Sequence, residues 1–240
     1  MSIAPALGAA AVGVICAEAV SAEDAWPTVP DGTMTELGSL GGDGWTEGVS
    51  ADGGVIVGTT DGRAVSWVDG STTATDLGTL GGTISQSFDV SADGSVIVGR
   101  ANNADGDTRA VSWLNGSTTA IDLGTLGGQY SAATAVSADG SVIIGYAYDA
   151  GGTSRSVSWV DGSTTATLLE TLGGTQSNVY SAGADGSIIV GFAENGDGNF
   201  HAVSWVDGST TATDLGTLGG IGSYSYAYGV SADGSVIVGE

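Results

Sequence analysis

Apolar residues in this chain fall into short runs whose character changes in a fixed order. Within residues 87–128 the first run, Phe88-Asp89-Val90-Ser91-Ala92, alternates apolar with polar, the period of a half-buried strand. It meets Asp93-Gly94, a hairpin signal because glycine tolerates the positive φ that a tight turn requires. The next run, Ser95-Val96-Ile97-Val98-Gly99, is continuously apolar at its centre and predicts a strand buried on both faces. Residues 100–108 are polar and rich in Asn, Asp and Gly, as a longer loop would be. Arg109-Ala110-Val111-Ser112-Trp113-Leu114 predicts a third strand, ending at a second hairpin signal, Asn115-Gly116. A fourth strand is expected over residues 118–123, and Leu126-Gly127-Gly128 closes the unit.

This order of runs returns along the chain. Val-Ser-Trp recurs at Trp67, Trp113, Trp159 and Trp205, at intervals of 46 residues. Leu-Gly-Gly recurs at Leu40, Leu80, Leu126, Leu172 and Leu218, at intervals of 40, 46, 46 and 46. Such self-similarity marks an architecture that stacks one supersecondary unit. Four short antiparallel strands in a unit of about 40 to 50 residues is the pattern of a propeller blade. The predicted fold is therefore all-β, a β-propeller of about five four-stranded blades. Four full units cover residues 45–220. Residues 225–239 supply the first two strands of a fifth, and residues 26–42, with Trp26 and Asp31-Gly32, echo the last two. These half-units from the two ends are expected to pair, closing the last blade and removing open sheet edges. The four repeated tryptophans are expected to pack between neighbouring blades.

Charge narrows the range of partners. Against 27 acids stand 4 arginines and no lysine, a net charge of −23. No basic cluster is available to displace counterions from nucleic acid, and anionic membranes are disfavoured for the same reason. The acids are scattered through the turns and read as solubilising surface charge. Residues 1–22 differ from the rest. An apolar stretch from Ile3 to Ala17, too short to span a bilayer, leads to Val20-Ser21-Ala22. That predicts a signal peptide cleaved before Glu23, leaving residues 23–240 as the propeller with no membrane span. Cys16 lies inside the leader, so the mature chain is expected to hold no cysteine and no disulfide framework.

Catalytic chemistry is hard to assemble from these residues. His201 occupies the place that Arg63, Arg109 and Arg155 hold in the other units, which reads as a surface role beside an acidic turn. Asp52, Asp93, Asp139, Asp185 and Asp233 precede glycine in one hairpin, and Asp69, Asp161 and Asp207 do so in the other; turn formation explains them all. An active-site acid should break the repeat, and Glu47, Glu170 and Glu194 do, without any pairing that points to hydrolysis. Loops at 103–107 (Asn-Ala-Asp-Gly-Asp) and 195–199 (Asn-Gly-Asp-Gly-Asn) alternate oxygen ligands as calcium loops do. The place of the bidentate acid, however, holds Leu114 or Val206, so solvated loops are expected. Tyr130, Tyr146, Tyr148, Tyr180, Tyr224, Tyr226 and Tyr228 gather in the later units, where they could stack on sugars or pack as strand residues. No catalytic residue, metal site or cofactor is assigned, and the ligand-binding residues stay open.

Leu-Gly-Thr-Leu-Gly-Gly, then Val-Ser-Ala-Asp-Gly-Ser-Val-Ile-Val-Gly, then Arg/His-Ala-Val-Ser-Trp resembles the bacterial extracellular HAF repeat. The namesake tripeptide is closest at His201-Ala202-Val203, and the resemblance covers residues 45–239. It implies a secreted or surface-exposed protein with a propeller-like repeat, in some cases an autotransporter passenger associated with the cell outer membrane. The function expected is a monomeric, exported binding or adhesion module for a surface glycan or protein. The alternative is a carbohydrate-binding or glycoside-hydrolysing propeller.

Overall fold

The computed structural model describes residues 34–219 and 222–240. The expected leader at 1–22 and the Trp26 segment lie outside the described residues. Everything described is strand, turn or loop. The first sheet runs β1 (Gly44–Val49), β2 (Val55–Thr60), β3 (Arg63–Val68) and β4 (Thr75–Asp76), and the second β5 (Gly81–Val90), β6 (Val96–Asn103), β7 (Thr108–Leu114) and β8 (Ile121–Asp122). The third is β9 (Gly127–Val136), β10 (Val142–Asp149), β11 (Ser154–Val160) and β12 (Thr167–Leu168). The fourth is β13 (Gly173–Ala182), β14 (Ile188–Asn195), β15 (Phe200–Val206) and β16 (Thr213–Gly216). A last pair, β17 (Ala227–Val230) and β18 (Ile237–Gly239), stands alone.

Within each of the four sheets consecutive strands pair antiparallel in chain order, as the runs predict. A single parallel bridge, Thr108 to Tyr130, ties the second sheet to the third. First strands touch first strands of the next sheet, β1 on β5, β5 on β9, β9 on β13 and β13 on β17. They therefore form the inner side of the array, with the two- to four-residue fourth strands outside.

Three element boundaries differ from the sequence expectation, the first being that β6 runs on to Asn103, into the stretch expected as a loop over 100–108. Leu-Gly-Gly opens the next unit instead of closing its own, since β5, β9 and β13 start at its first glycine. The fourth strand shrinks to Ile121–Asp122 in the second sheet, because Ser117 accepts the Thr119 N–H through its Oγ and holds the chain in a turn.

The two Asp-Gly hairpins also prove to be different turns. Asp69, Asn115, Asp161 and Asp207 all have φ near 52° and are followed by glycines with φ of 72–74°, as a type I′ turn requires. At the other hairpin only the glycine is left-handed, and Asp is a side-chain acceptor. Asp93 Oδ1 takes the Ser91 hydroxyl at 2.7 Å and the Ser95 N–H at 2.9 Å, while Ser91 Oγ takes the Val96 N–H.

Cores lie between sheets. Trp113 packs with Val57, Ala64, Leu77 and Val90, and Trp159 with Val98, Ala110, Leu123 and Ala133. Trp205 packs with Val142, Ile144, Leu169 and Val179. All four repeated tryptophans are 1% exposed. Each junction thus sandwiches the leucine that ends one unit against the tryptophan of the next. Gly99, Gly145 and Gly191 let the sheets form: a Cβ there would collide with the carbonyl oxygen of Gln86, Ala132 or Asn178 on the bulged first strand.

The expected zipping of the two ends is not present among the described residues. Residues 34–42 are drawn onto the first sheet instead. Leu37 inserts beside Val65 and Trp67, the Gly38 N–H reaches Thr72 O at 2.7 Å, and Trp67 Nε1 donates to Gly38 O. No hydrogen bond joins them to β17 or β18. Among the described residues the first and fourth sheets are separate and four-stranded, the second and third are joined into one eight-stranded sheet by the Thr108–Tyr130 bridge, and β17 with β18 is two-stranded.

Candidate binding face

The hairpin end of the array is spent on structure. Ala92 N–H donates to Ala138 O and Ala184 N–H to Ala232 O, so neighbouring Ser-Ala-Asp-Gly hairpins are laced together. Their carboxylates are occupied. The Ser95 and Ser91 hydrogen bonds pull Asp93 down to about 2, and those of Ser231 and Ser235 do the same for Asp233. Gly54 and Ser50 lower Asp52, Ser137 lowers Asp139 against the opposing effect of burial, and Ser187 lowers Asp185.

The sequence-flagged acids scatter. Glu47 lies exposed on β1. Glu170 follows β12 and owes its presence to the backbone: Gly78, Gly124 and Gly216 adopt positive φ and give their N–H to Asp76, Asp122 and Asp214. In the third unit that aspartate is Leu168, the left-handed turn is not formed, and Glu170 N–H goes to Thr210 O at 2.8 Å. Glu194 Oε2 accepts the N–H of Thr175 at 2.6 Å, the Thr175 hydroxyl and the Gln176 N–H, which together lower its pKa. These three acids do not share a site.

His201 takes over an arginine's task. Its Nδ1 lies 2.9 Å from Asp214 Oδ2, as Arg63 lies 3.0 Å from Asp76 in the first sheet. Burial raises the Asp214 pKa, but the His201 and Gly216 hydrogen bonds outweigh it and leave the group lowered. The leading asparagines of the loops at 103–107 and 195–199 spend their side-chain oxygens internally: Asn103 Oδ1 accepts the N–H of Asp105 and Asp107, and Asn195 Oδ1 those of Asp197 and Asn199. No group of three metal-ligating side chains occurs among the described residues.

Departures from the repeat gather instead toward the loop end, on aromatic side chains. Tyr130 stacks on Tyr146 with ring centroids 5.8 Å apart and meets Tyr148 edge-on at 5.5 Å. Burial and the Tyr130 hydroxyl push Tyr146 up to about 12. Arg100 closes this group, with Nε 2.7 Å from Gln86 Oε1 and Nη1 on the Tyr130 hydroxyl, and its guanidinium over the Phe88 and Tyr130 rings. Among the described residues it is the arginine without a carboxylate partner; Arg63, Arg109 and Arg155 each have one. A second group centres on Phe192, ringed by Tyr180, Phe200 and Tyr226, with Tyr228 and Tyr224 at its margin.

The sequence named the tyrosines but not Arg100, Phe88 or Asp89. Asp89 is an inner-strand acid whose burial raises its pKa, against the Val136 N–H that its Oδ2 accepts at 2.9 Å from the third sheet. Its signal was legible, since the same place holds Ala135 and Ser181 in the next units.

No protein-family model matches the chain, and no curated protein matches it. Solved structures do. A protein assigned as TolB from Agrobacterium tumefaciens aligns with a TM-score of 0.56 and 15% identity over 78% of this chain and 70% of that one. TolB from Acinetobacter baumannii gives 0.51 and 15% over 78% and 45%, and Kuenenia stuttgartiensis hydrazine synthase 0.50 and 12% over 81% and 60%. The fold is β-propeller-like. At these identities the likeness carries architecture alone.

Proposed function

We propose that the chain is an exported, surface-exposed propeller that binds a partner through its aromatic face and catalyses nothing. The observation that carries this reading is the division of labour between repeated and unrepeated residues. Repeated acids are consumed in turns and ion pairs, whereas the departures from the repeat are rings and hydroxyls gathered toward the loop end. The HAF-like repeat and the leader at 1–22 support export. Fractionation of cells expressing the tagged full chain should place it on the surface or in the medium; retention inside the cell would overturn export.

The ring closes, in this reading, through the segment around Trp26. Leu77, Leu123 and Leu169 are 1–2% exposed under the tryptophan of the following unit, but Leu215 is 42% exposed. Beside it lies a gap of about 740 Å³ bordered by Leu215, Leu218, Tyr226 and Val238. Leu37 already behaves as the leucine of a preceding unit, and Trp26 stands 11 residues before it, against 10 from Trp67 to Leu77. Trp26→Ala should lower Tm as much as Trp205→Ala; no shift would leave a four-sheet array with an open fifth.

A further inference from the structure

At the loop end of the junction between the second and third sheets lies a cleft of about 580 Å³, in the range of small-molecule sites. One wall is the turn Gly106-Asp107-Thr108 between β6 and β7, and the other is built from Tyr130, Tyr148 and Asp149 of the third sheet. Gly127, Gly128 and Gln129 border it as well. We propose that this cleft binds a neutral saccharide, with Tyr148 as the stacking surface, Tyr130 as the ring that holds it, and Gln129, Thr108, Asp107 and Asp149 as hydrogen-bonding partners of ring hydroxyls. The proposal deepens the binding-module reading and rests on it.

Three observations select this ligand class. The lining mixes two half-buried aromatic rings with an amide, a hydroxyl and two carboxylates, the combination that a polyhydroxylated ring with an apolar face requires. The rings are held in place before any ligand arrives, since Tyr130 is fixed by Tyr146 and by the Arg100 bond to its hydroxyl. Charge argues against an anionic sugar. The net charge is −23, Arg109 is paired with Asp107 at 2.9 Å and Arg155 with Asp149 at 3.7 Å, and Arg100, which has no carboxylate partner, is held by Gln86 and the Tyr130 hydroxyl. Those ion pairs also fix the carboxylates, and Asp149 Oδ1 already accepts the N–H of Gly151 and Thr153, which disfavours a cation.

The cleft's two rings occur together in one unit only. Tyr148 stands where the neighbouring units carry Asn102 and Glu194, and Tyr130 where they carry Ile84 and Gln176. In the fourth sheet Glu194 reaches back to Thr175 and Gln176, so its carboxylate is tied to its own sheet.

Titration calorimetry on the full chain with neutral oligosaccharides (a linear β-glucan, a chitin oligomer and a xylan oligomer), and with oligogalacturonate as the anionic probe, tests this. A neutral oligosaccharide should bind, and Tyr148→Ala should weaken it about tenfold. Gln129→Ala, at an exposed position, should weaken binding severalfold with an unchanged melt, which guards against misfolding of the tyrosine variant. Oligogalacturonate should release no heat. Undiminished affinity in both variants, or stronger binding of the uronate, would overturn the proposal. Loss of binding in Tyr228→Ala alone would overturn the cleft yet leave the binding-module reading intact. A secreted chain that holds cell surfaces but none of the neutral sugars would do the same.

Discussion

Leu169 and Leu215 occupy the same place in consecutive units, yet the first is 2% exposed and the second 42%. The difference does not lie in their own strands. Leu169 is covered because Trp205 of the next unit lies on it, and among the described residues no tryptophan follows Leu215. A unit of this kind therefore buries its own payload only through its successor, the nearest-neighbour logic of repeat arrays.

That comparison can be broken at its strongest point first. Trp205→Ala should make the Leu169 junction resemble the last one and cost about 3–5 kcal/mol, read from urea melts followed by circular dichroism. Next, Leu169→Ala should cost about 2–5 kcal/mol. If the Trp26 segment closes the ring, Leu215→Ala should cost as much in the full chain, and less than about 1 kcal/mol when Trp26→Ala is already present. Equal, small Leu215 costs in both backgrounds would mark the edge as open.

A finer contrast lies within a single hairpin. Hydrogen bonds pull Asp93 down to about 2, so the stability it supplies is present above the ordinary carboxylate pKa and is lost as pH falls through about 2. Burial raises Asp89, so its contribution is present below the ordinary carboxylate range and is lost as pH rises through its elevated value. Asp89→Asn should therefore raise Tm at neutral pH relative to the parent and lose that advantage in acid, while Asp93→Ala should lower Tm at neutral pH and converge with the parent near pH 2. Parallel pH profiles for parent and variants would show that neither carboxylate is held as described. The smallest effect is expected from Gln129→Ala, within about 0.5 kcal/mol, since its side chain is exposed.

Much of the fold was legible because hydrophobic period reports burial directly. Val96-Ile97-Val98 reads as a strand covered on both sides, and its residues lie half-buried to buried between sheets. Less could be read where one dipeptide serves two geometries. Asp69-Gly70 and Asp93-Gly94 are the same letters, but a side-chain hydrogen bond to Ser91 makes the second a different turn. Glu170 read as a repeat-breaking acid with no chemistry assigned to it, and the loss of its usual aspartate partner, replaced by Leu168, supplies the structural reason for the departure. The tyrosines were visible as a list, but which rings meet depends on strand pairing inside the third sheet for Tyr130, Tyr146 and Tyr148, and on the contact of the fourth sheet with the last strand pair for Tyr180, Phe192, Tyr226 and Tyr228.

By itself the sequence determined the strand order, the position of the four repeated tryptophans as core and the surplus of acids with turn duties, because each follows from local period and turn chemistry. Tertiary structure decided which leucine is covered, which carboxylates are spent, and that Tyr130 and Tyr148 wall a cleft with a loop of the preceding sheet. These are contacts between units, and a repeat records the unit without recording its neighbour.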